Sequence, residues 1–389
     1  MRTITVFSLL LLFLSACQND PDPTGIGLIP NEDLTAAFQT DSQRDSTSLR
    51  DAVYPFTMTH GTSTILSIGE ADGFSSKALL RWLYLPDSIA YGGRIVSATI
   101  RLRSLPYHIG DASASYRLEA REITSFWNSY TMTVDSLGAN GLQHEANPAG
   151  VFEGSFGEAD SIDLALDSTL VRKWFVNTHE NKATENYGVL LESPSSGIMR
   201  SFNALDAGGI NAPRLIVVVE TAFGLDTLYG ETADDTYLTT STLQEPVERI
   251  VLQGGGSVRG KLYFDVSAIP PASIINHAVL YLTMDPSLST EYYRGADTVL
   301  VYQSVDSTKN ILNASGLISR TDNAQPGVLI TEGAPFTRAV QDWVNGKGNY
   351  GLILVAMNEN TDLDRMALYG AAAAADKRPR LVVTYTSQP

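Results

Sequence analysis

The chain of 389 residues contains a single cysteine, Cys17, close to its N-terminus. One thiol closes no intrachain disulfide, builds no zinc–thiolate centre and, so far from the body of the chain, supplies no nucleophile to it. A chain of this length buries large cores without disulfides. Positive charge is also scarce: 27 Lys and Arg stand against 43 Asp and Glu, a net charge of −16. Nucleic-acid binding needs clustered basic side chains. No such cluster exists, so nucleic acid is not an expected partner. The same acidity disfavours adsorption to anionic lipid headgroups. After the first 16 residues no apolar run is long enough to span a bilayer as a helix. Histidine is limited to His60, His108, His144, His179 and His277, and none falls in a His-Glu-x-x-His pattern. The glycine-rich stretch Gly254–Gly260 lacks the Lys-Ser/Thr of a phosphate loop. It also misses the last glycine of a nucleophile elbow, where Arg259 stands.

What is present begins at the N-terminus. Arg2 precedes an apolar run from Val6 to Leu14, broken only by Ser8. The run is too short to span a bilayer and has the form of a secretory leader. It ends in Leu14-Ser15-Ala16-Cys17, which resembles the lipobox of bacterial lipoproteins. The resemblance implies cleavage after residue 16 and a diacylglycerol on the Cys17 sulfur. Two acyl chains suffice for stable attachment where one does not. Lipidated Cys17 is therefore the expected membrane attachment. Gln18 follows it; the absence of Asp there favours the outer membrane or cell surface. Residues 17–50 are polar and acidic and read as a flexible tether.

The remainder alternates apolar and polar residues in short runs separated by Gly, Pro, Asp and Asn, the pattern of β-strands. No alternation of strands with long helices suggests a doubly wound fold. Four segments recur in the same order. Leu79-Leu80-Arg81-Trp82-Leu83 matches Lys261-Leu262-Tyr263-Phe264-Asp265. Ser97–Leu102 matches His277–Leu282. Val171–Asn177 with Asn186-Tyr187-Gly188 matches Val340–Gly346 with Asn349-Tyr350-Gly351. Ala212–Val217 matches Arg378–Val383. Four pairs in order indicate a duplicated domain, with halves at 51–222 and 223–389. Pro335 at a first helical turn, with Phe336, Ala339, Val340 and Trp343 behind it, predicts one short helix in the second half. Asp167 or Ser168 caps its counterpart, which carries Leu170, Val171, Trp174 and Phe175.

This succession resembles the DNRLRE family of extracellular domains, over nearly all of 51–389. The second copy carries the pattern in Leu262–Phe264, Ile269-Pro270-Pro271, Ala278–Leu282, Trp343, Tyr350-Gly351-Leu352 and Pro379-Arg380-Leu381. The first copy departs at Leu85-Pro86-Asp87, where a longer loop stands. The resemblance implies an all-β fold: two tandem jelly-roll-like β-sandwich domains, each with one short helix. The family is similar to carbohydrate-binding modules, which implies glycan binding without catalysis.

Sugars stack on exposed aromatic faces while polar groups fix their hydroxyls. Trp82, Phe264, Trp174 and Trp343 recur between copies and read as core. Trp127, Tyr130, Tyr292 and Tyr293 do not recur and adjoin polar segments, which makes them the expected glycan platform. Asp160, Asp163 and Asp167, or Asp234 and Asp235, offer oxygen ligands for Ca²⁺ without forming an EF-hand-type loop; no cofactor is expected. The resulting expectation is a lipid-anchored glycan-binding surface protein. A structural or adhesive envelope protein that binds another protein is the alternative. A polysaccharide lyase or hydrolase ranks third, since no motif places a base or nucleophile.

Overall fold

The computed structural model describes residues 37–387, apart from 45–48, 84, 87–92, 139–140, 156–160, 195–196, 243–247, 256–257, 291–297, 307–309, 311 and 314–315. The chain opens with β1 (Ala37–Asp41) and β2 (Leu49–Pro55). Next come β3 (Ile65–Ala71), β4 (Phe74–Arg81), β5 (Arg94–Gly110), β6 (Tyr116–Glu122), β7 (Gly150–Gly154) and β8 (Ser161–Ala165). Helix α1 (Ser168–His179) leads to β9 (Val189–Glu192), β10 (Ile198–Asn203), β11 (Arg214–Thr221), β12 (Gly224–Glu231) and β13 (Asp234–Ser241). The second half runs β14 (Arg249–Gln253), β15 (Val258–Phe264), β16 (Ile274–Thr283), β17 (Val299–Gln303), β18 (Leu317–Ile318), β19 (Arg320–Thr321) and β20 (Val328–Glu332). Helix α2 (Ala334–Val344) precedes β21 (Leu352–Ala356), β22 (Arg365–Tyr369) and β23 (Arg380–Thr386).

The fold is all-β, built from curled antiparallel sheets packed as sandwiches, with α1 and α2 the two α-helices among the described residues. In the first sandwich β4 pairs with β3, β9 and β13, and β5 pairs with β11 and β8. Strand β5 is 17 residues long. Its first half lies beside β11 and its second half beside β10, so it ties the two sheets together. In the second sandwich β15 takes the place of β4, pairing with β14 and β21, and β16 the place of β5, pairing with β23 and β20. The recurring sequence segments thus occupy matching elements.

Strand alternation builds each core. Ala98, Ile100 and Leu102 of β5 point inward with Leu215, Val217 and Val219 of β11. Ala278, Leu280 and Leu282 of β16 do the same with Leu381 and Val383 of β23. Each helix closes one sandwich with its apolar stripe: Leu170, Val171, Trp174 and Phe175 of α1, and Phe336, Ala339, Val340 and Trp343 of α2. Trp174 meets Trp82 with ring centroids 5.6 Å apart. The α1 start is set by Asp167, whose carboxylate accepts a hydrogen bond from Thr169 N at 2.7 Å.

The recurring Asn-Tyr-Gly has a physical basis in both copies. Asn186 is fully buried and its amide donates to Trp174 O at 3.0 Å, tying the end of α1 to the next strand. Asn349 donates to Phe264 O at 2.7 Å. The glycine then passes hard against a neighbouring strand with positive φ. A Cβ on Gly188, at φ 78°, would lie 1.9 Å from Leu80 O, and one on Gly351, at φ 86°, 2.4 Å from Leu262 O. Gly188→Ala is therefore expected to lose at least about 2 kcal/mol of stability in denaturant unfolding, because it adds both strain and overlap.

Strand pairing corrects the expected boundaries. Residues 37–41 and 49–55, expected within or next to the tether, form strands of the second sandwich: β1 runs along β23 and β2 along β15. Residues 224–241, assigned to the second half, belong to the first sandwich: β12 runs along β11 and β13 along β4. The first sandwich therefore spans 65–241 and is inserted between two pieces of the second, 37–55 and 249–386. The reason is local. β12 folds back on β11 through the tight turn Ala222-Phe223, while the equivalent edge beside β23 is occupied by β1. Residues 17–36 and 45–48 of the expected tether lie outside the described residues, as do Cys17 and the leader. Among the described residues no helix is long and apolar enough to cross a membrane.

Candidate binding groove

The insertion brings two distant segments together on one sheet face. In the β2–β15 ladder Arg50 stands opposite Tyr263 and Ala52 opposite Lys261. The alternate residues Leu262 and Phe264 enter the core, so Tyr263 and Lys261 face outward with Arg50 and Ala52. The intervening Asp51 stands opposite Leu262, on the other face. Its Oδ2 packs at Gly370, where an added Cβ would lie 2.5 Å away.

The turn before β21 forms the second wall. Asn349 is fixed by its bond to Phe264 O, and its Oδ1 accepts from Gly351 N at 3.1 Å. This holds Tyr350 at the rim, 40 % exposed. Gly348 lies beneath its ring at φ 75°. The open groove between these walls has a volume of about 320 Å³ and is lined by Arg50, Asp51, Ala52, Lys261, Tyr263, Asn349 and Tyr350. The Arg50 guanidinium lies 4.3 Å from the Tyr263 ring centroid. Tyr350 supplies an exposed aromatic face, and Arg50 and Lys261 supply hydrogen-bond donors.

Of the expected platform, Trp127 and Tyr130 lie outside the groove lining, and Trp127 is buried. Trp127 is 2 % exposed, packs with Leu79, Ile123, Met132 and Leu190, and donates its indole N–H to Tyr187 O at 2.7 Å. The Arg81 guanidinium sits 5.0 Å from its ring and is ion-paired with Asp234. No sugar reaches such a face. Trp127 therefore anchors its loop from below and is not a stacking surface. Tyr130, on the same loop, is 66 % exposed beside an equally exposed Phe126. Tyr292 and Tyr293 lie outside the described residues. Trp82, Phe264, Trp174 and Trp343 are buried, as their recurrence implied.

The acidic residues weighed for Ca²⁺ are scattered by the fold. Asp163 accepts from Arg101 Nε and Nη2, each at 2.7 Å, Asp167 caps α1, and Asp234 pairs with Arg81. Asp235 is buried and accepts from Leu205 N at 2.6 Å. Asp160 lies outside the described residues. Among the described residues no group of three or more His, Cys, Asp or Glu is placed to share an ion.

A second polar cluster lies where the sandwiches meet. Buried His60 stacks on Tyr237 with centroids 4.2 Å apart, its Nε2 3.1 Å from Gly255 O and its Nδ1 3.3 Å from Asn360 O. Burial lowers its pKa below the usual imidazole value, opposed by those two carbonyls. Tyr107 OH accepts from Leu363 N at 2.8 Å, and Leu363 packs with Ile65, Phe74 and Ile109 across the junction. A cavity of about 260 Å³ separates Thr64, Leu105 and Asn203 from Thr361 and Asp362. Burial pushes the Asp362 carboxyl up to about 7, aided by the neighbouring charge of Asp364. Burial raises Asp235 to about 7 as well, with Asp206 and Asp234 adding to it and Leu205 N opposing it. His60, Tyr107 and Leu363 link residues of the two sandwiches through these contacts.

Neither a family model, nor a curated protein, nor a solved structure matches the chain.

Proposed function

We propose that the protein is a lipid-anchored, non-catalytic surface protein that binds extracellular glycan in the groove between β2, β15 and the turn at Tyr350. The observation that carries this reading is the groove's composition. An exposed tyrosine face, an arginine seated on a second tyrosine and a lysine converge on about 320 Å³. This is the pairing of apolar face and oriented donors that sugar recognition uses. The lipobox-like leader and the resemblance to DNRLRE domains support the same reading.

In affinity electrophoresis through gels containing soluble polysaccharides, the protein is expected to be retarded by at least one glycan. Tyr350→Ala is expected to weaken that retention roughly 5- to 30-fold, the loss of an aromatic contact of about 1–2 kcal/mol. Retention unchanged by Tyr350→Ala removes the groove from the reading.

Cys17→Ser is expected to abolish labelling by a radioactive fatty acid and to move the protein from the membrane fraction to the soluble one. Persistent labelling overturns the anchor.

One observation favours docking to a second protein instead. Strand β12 is a sheet edge with Phe223, Leu225 and Tyr229 exposed around it. Crosslinking from cysteines placed at Thr227 distinguishes that reading, because glycan binding leaves this edge untouched.

A further inference from the structure

We infer that the groove selects anionic glycans, those bearing carboxylate or sulfate groups; this rests on the glycan-binding reading above. Among the described residues most of the scarce cations are ion-paired. Arg101 is bound to Asp163, Arg214 to Glu231, Arg94 to Glu220 and Arg259 to Glu359. Arg50 and Lys261 are exceptions. Neither makes an ion pair among the described residues, and Lys261 Nζ has only Asn310 Oδ1, at 3.5 Å. Both nonetheless stand on one face of one groove, two positions apart in the β2–β15 register.

The nearby carboxylates are turned away or already engaged. Asp51 occupies the opposite sheet face against Gly370. Asp265 accepts from Ser267 N at 2.9 Å, and its carboxyl is held low first by Ser267 and only then by the charge of Arg50. Asp51 borders the groove but turns its carboxylate to Gly370, so among the described residues the groove presents a guanidinium and an ammonium that no carboxylate pairs. The guanidinium lies over the Tyr263 ring, and its fork of N–H donors suits a planar or tetrahedral oxyanion.

A net charge of −16 repels a polyanion at long range. That repulsion is screened beyond about 8 Å at physiological ionic strength, whereas contact with the two cations acts at about 3–4 Å. At that salt the local pair prevails, so binding is expected to strengthen from very low salt toward about 0.1 M before weakening again.

The test is calorimetric titration of the full-length protein in detergent with oligogalacturonate, sulfated dextran oligomers and neutral dextran oligomers at 0.15 M NaCl. Arg50→Gln and Lys261→Gln are each compared with Lys182→Gln, a change of equal charge at an exposed remote lysine paired to Glu180. The expected result is binding of an acidic oligomer at least 10-fold tighter than the neutral one. Arg50→Gln and Lys261→Gln weaken it 10-fold or more, and Lys182→Gln changes it less than 2-fold. Preference between the carboxylated and sulfated probes assigns the anion. Equal affinity for neutral and acidic oligomers, lost in Tyr350→Ala, overturns the anionic selectivity and leaves the groove in place. Equal effects of Arg50→Gln and Lys182→Gln also overturn it. Absence of binding to all three probes overturns the selectivity together with the glycan reading.

Discussion

A chain starting at Phe56 is expected to retain a folded first sandwich and to lose the cooperative unfolding transition of the second. Strand β1 satisfies the outer edge of β23 and β2 that of β15, although the rest of that sandwich begins beyond residue 248. The contacts are not superficial. Asp41 is 5 % exposed and takes the Arg380 guanidinium through Nε at 3.0 Å and Nη2 at 2.7 Å. Ser42 exchanges two bonds with Leu381: its backbone N–H donates to Leu381 O at 3.0 Å, and its Oγ accepts from Leu381 N at 2.8 Å. Leu49 packs on the core beside Phe264. Removal leaves a half-buried arginine unpaired and two ladders open, each a recognised route to severe destabilisation. Calorimetry checks this: two transitions in the intact protein and one in the shortened chain. Two transitions in both would show that the segment is dispensable.

Asp41→Ala is the milder form, with an expected loss of about 2–4 kcal/mol. Burial raises the Asp41 carboxyl, but the hydrogen bonds from Arg380 and Gln43 N outweigh it and hold it below the usual carboxylate value. Its contribution is therefore present above the unfolded value near 3.8 and lost as pH falls through the lower folded one.

The second large effect has the opposite sign. Stability is expected to fall as pH rises from about 4.5 to about 7, because Asp235 and Asp362 hold protons in the folded state until about 7 and in the unfolded chain only to about 3.8. Across that window the folded state binds more protons, and each pH unit per carboxyl removes at most about 1.4 kcal/mol. Above 7 the curve flattens. His60 works against this trend below pH 6.5: its folded pKa is lowered, so its share is lost as pH falls. Asp362→Asn is expected to flatten the slope and to raise stability at pH 7.5 by about 1–3 kcal/mol. Denaturant midpoints measured at pH 5 and 7.5 decide it. An unchanged slope in Asp362→Asn would remove Asp362 as its source.

The β-strands, both helices and most of the core were legible in the sequence because they rest on local periodicity. Ala98-x-Ile100-x-Leu102 alternates, and Phe336, Ala339, Val340 and Trp343 follow helical spacing. The repeated glycines were legible as a pattern, though their cause, a strand passing within contact of Leu80 O or Leu262 O, was not. The groove was half visible. Lys261 and Tyr263 alternate with the core residues Leu262 and Phe264, a signal that already points them outward. Nothing local announces Arg50, whose segment lies before the whole first sandwich. Trp127 misled because failure to recur says nothing about depth.

Sequence by itself determined the strands, the two helices and the acidic, cysteine-poor composition, since each depends on residue type and short-range spacing. Tertiary structure alone decided which strands complete which sandwich. Strands β1 and β12 are edge strands with few buried side chains, so their partners are chosen by backbone hydrogen bonding to whichever ladder is open. That choice is common to all residue types and leaves little trace in the sequence.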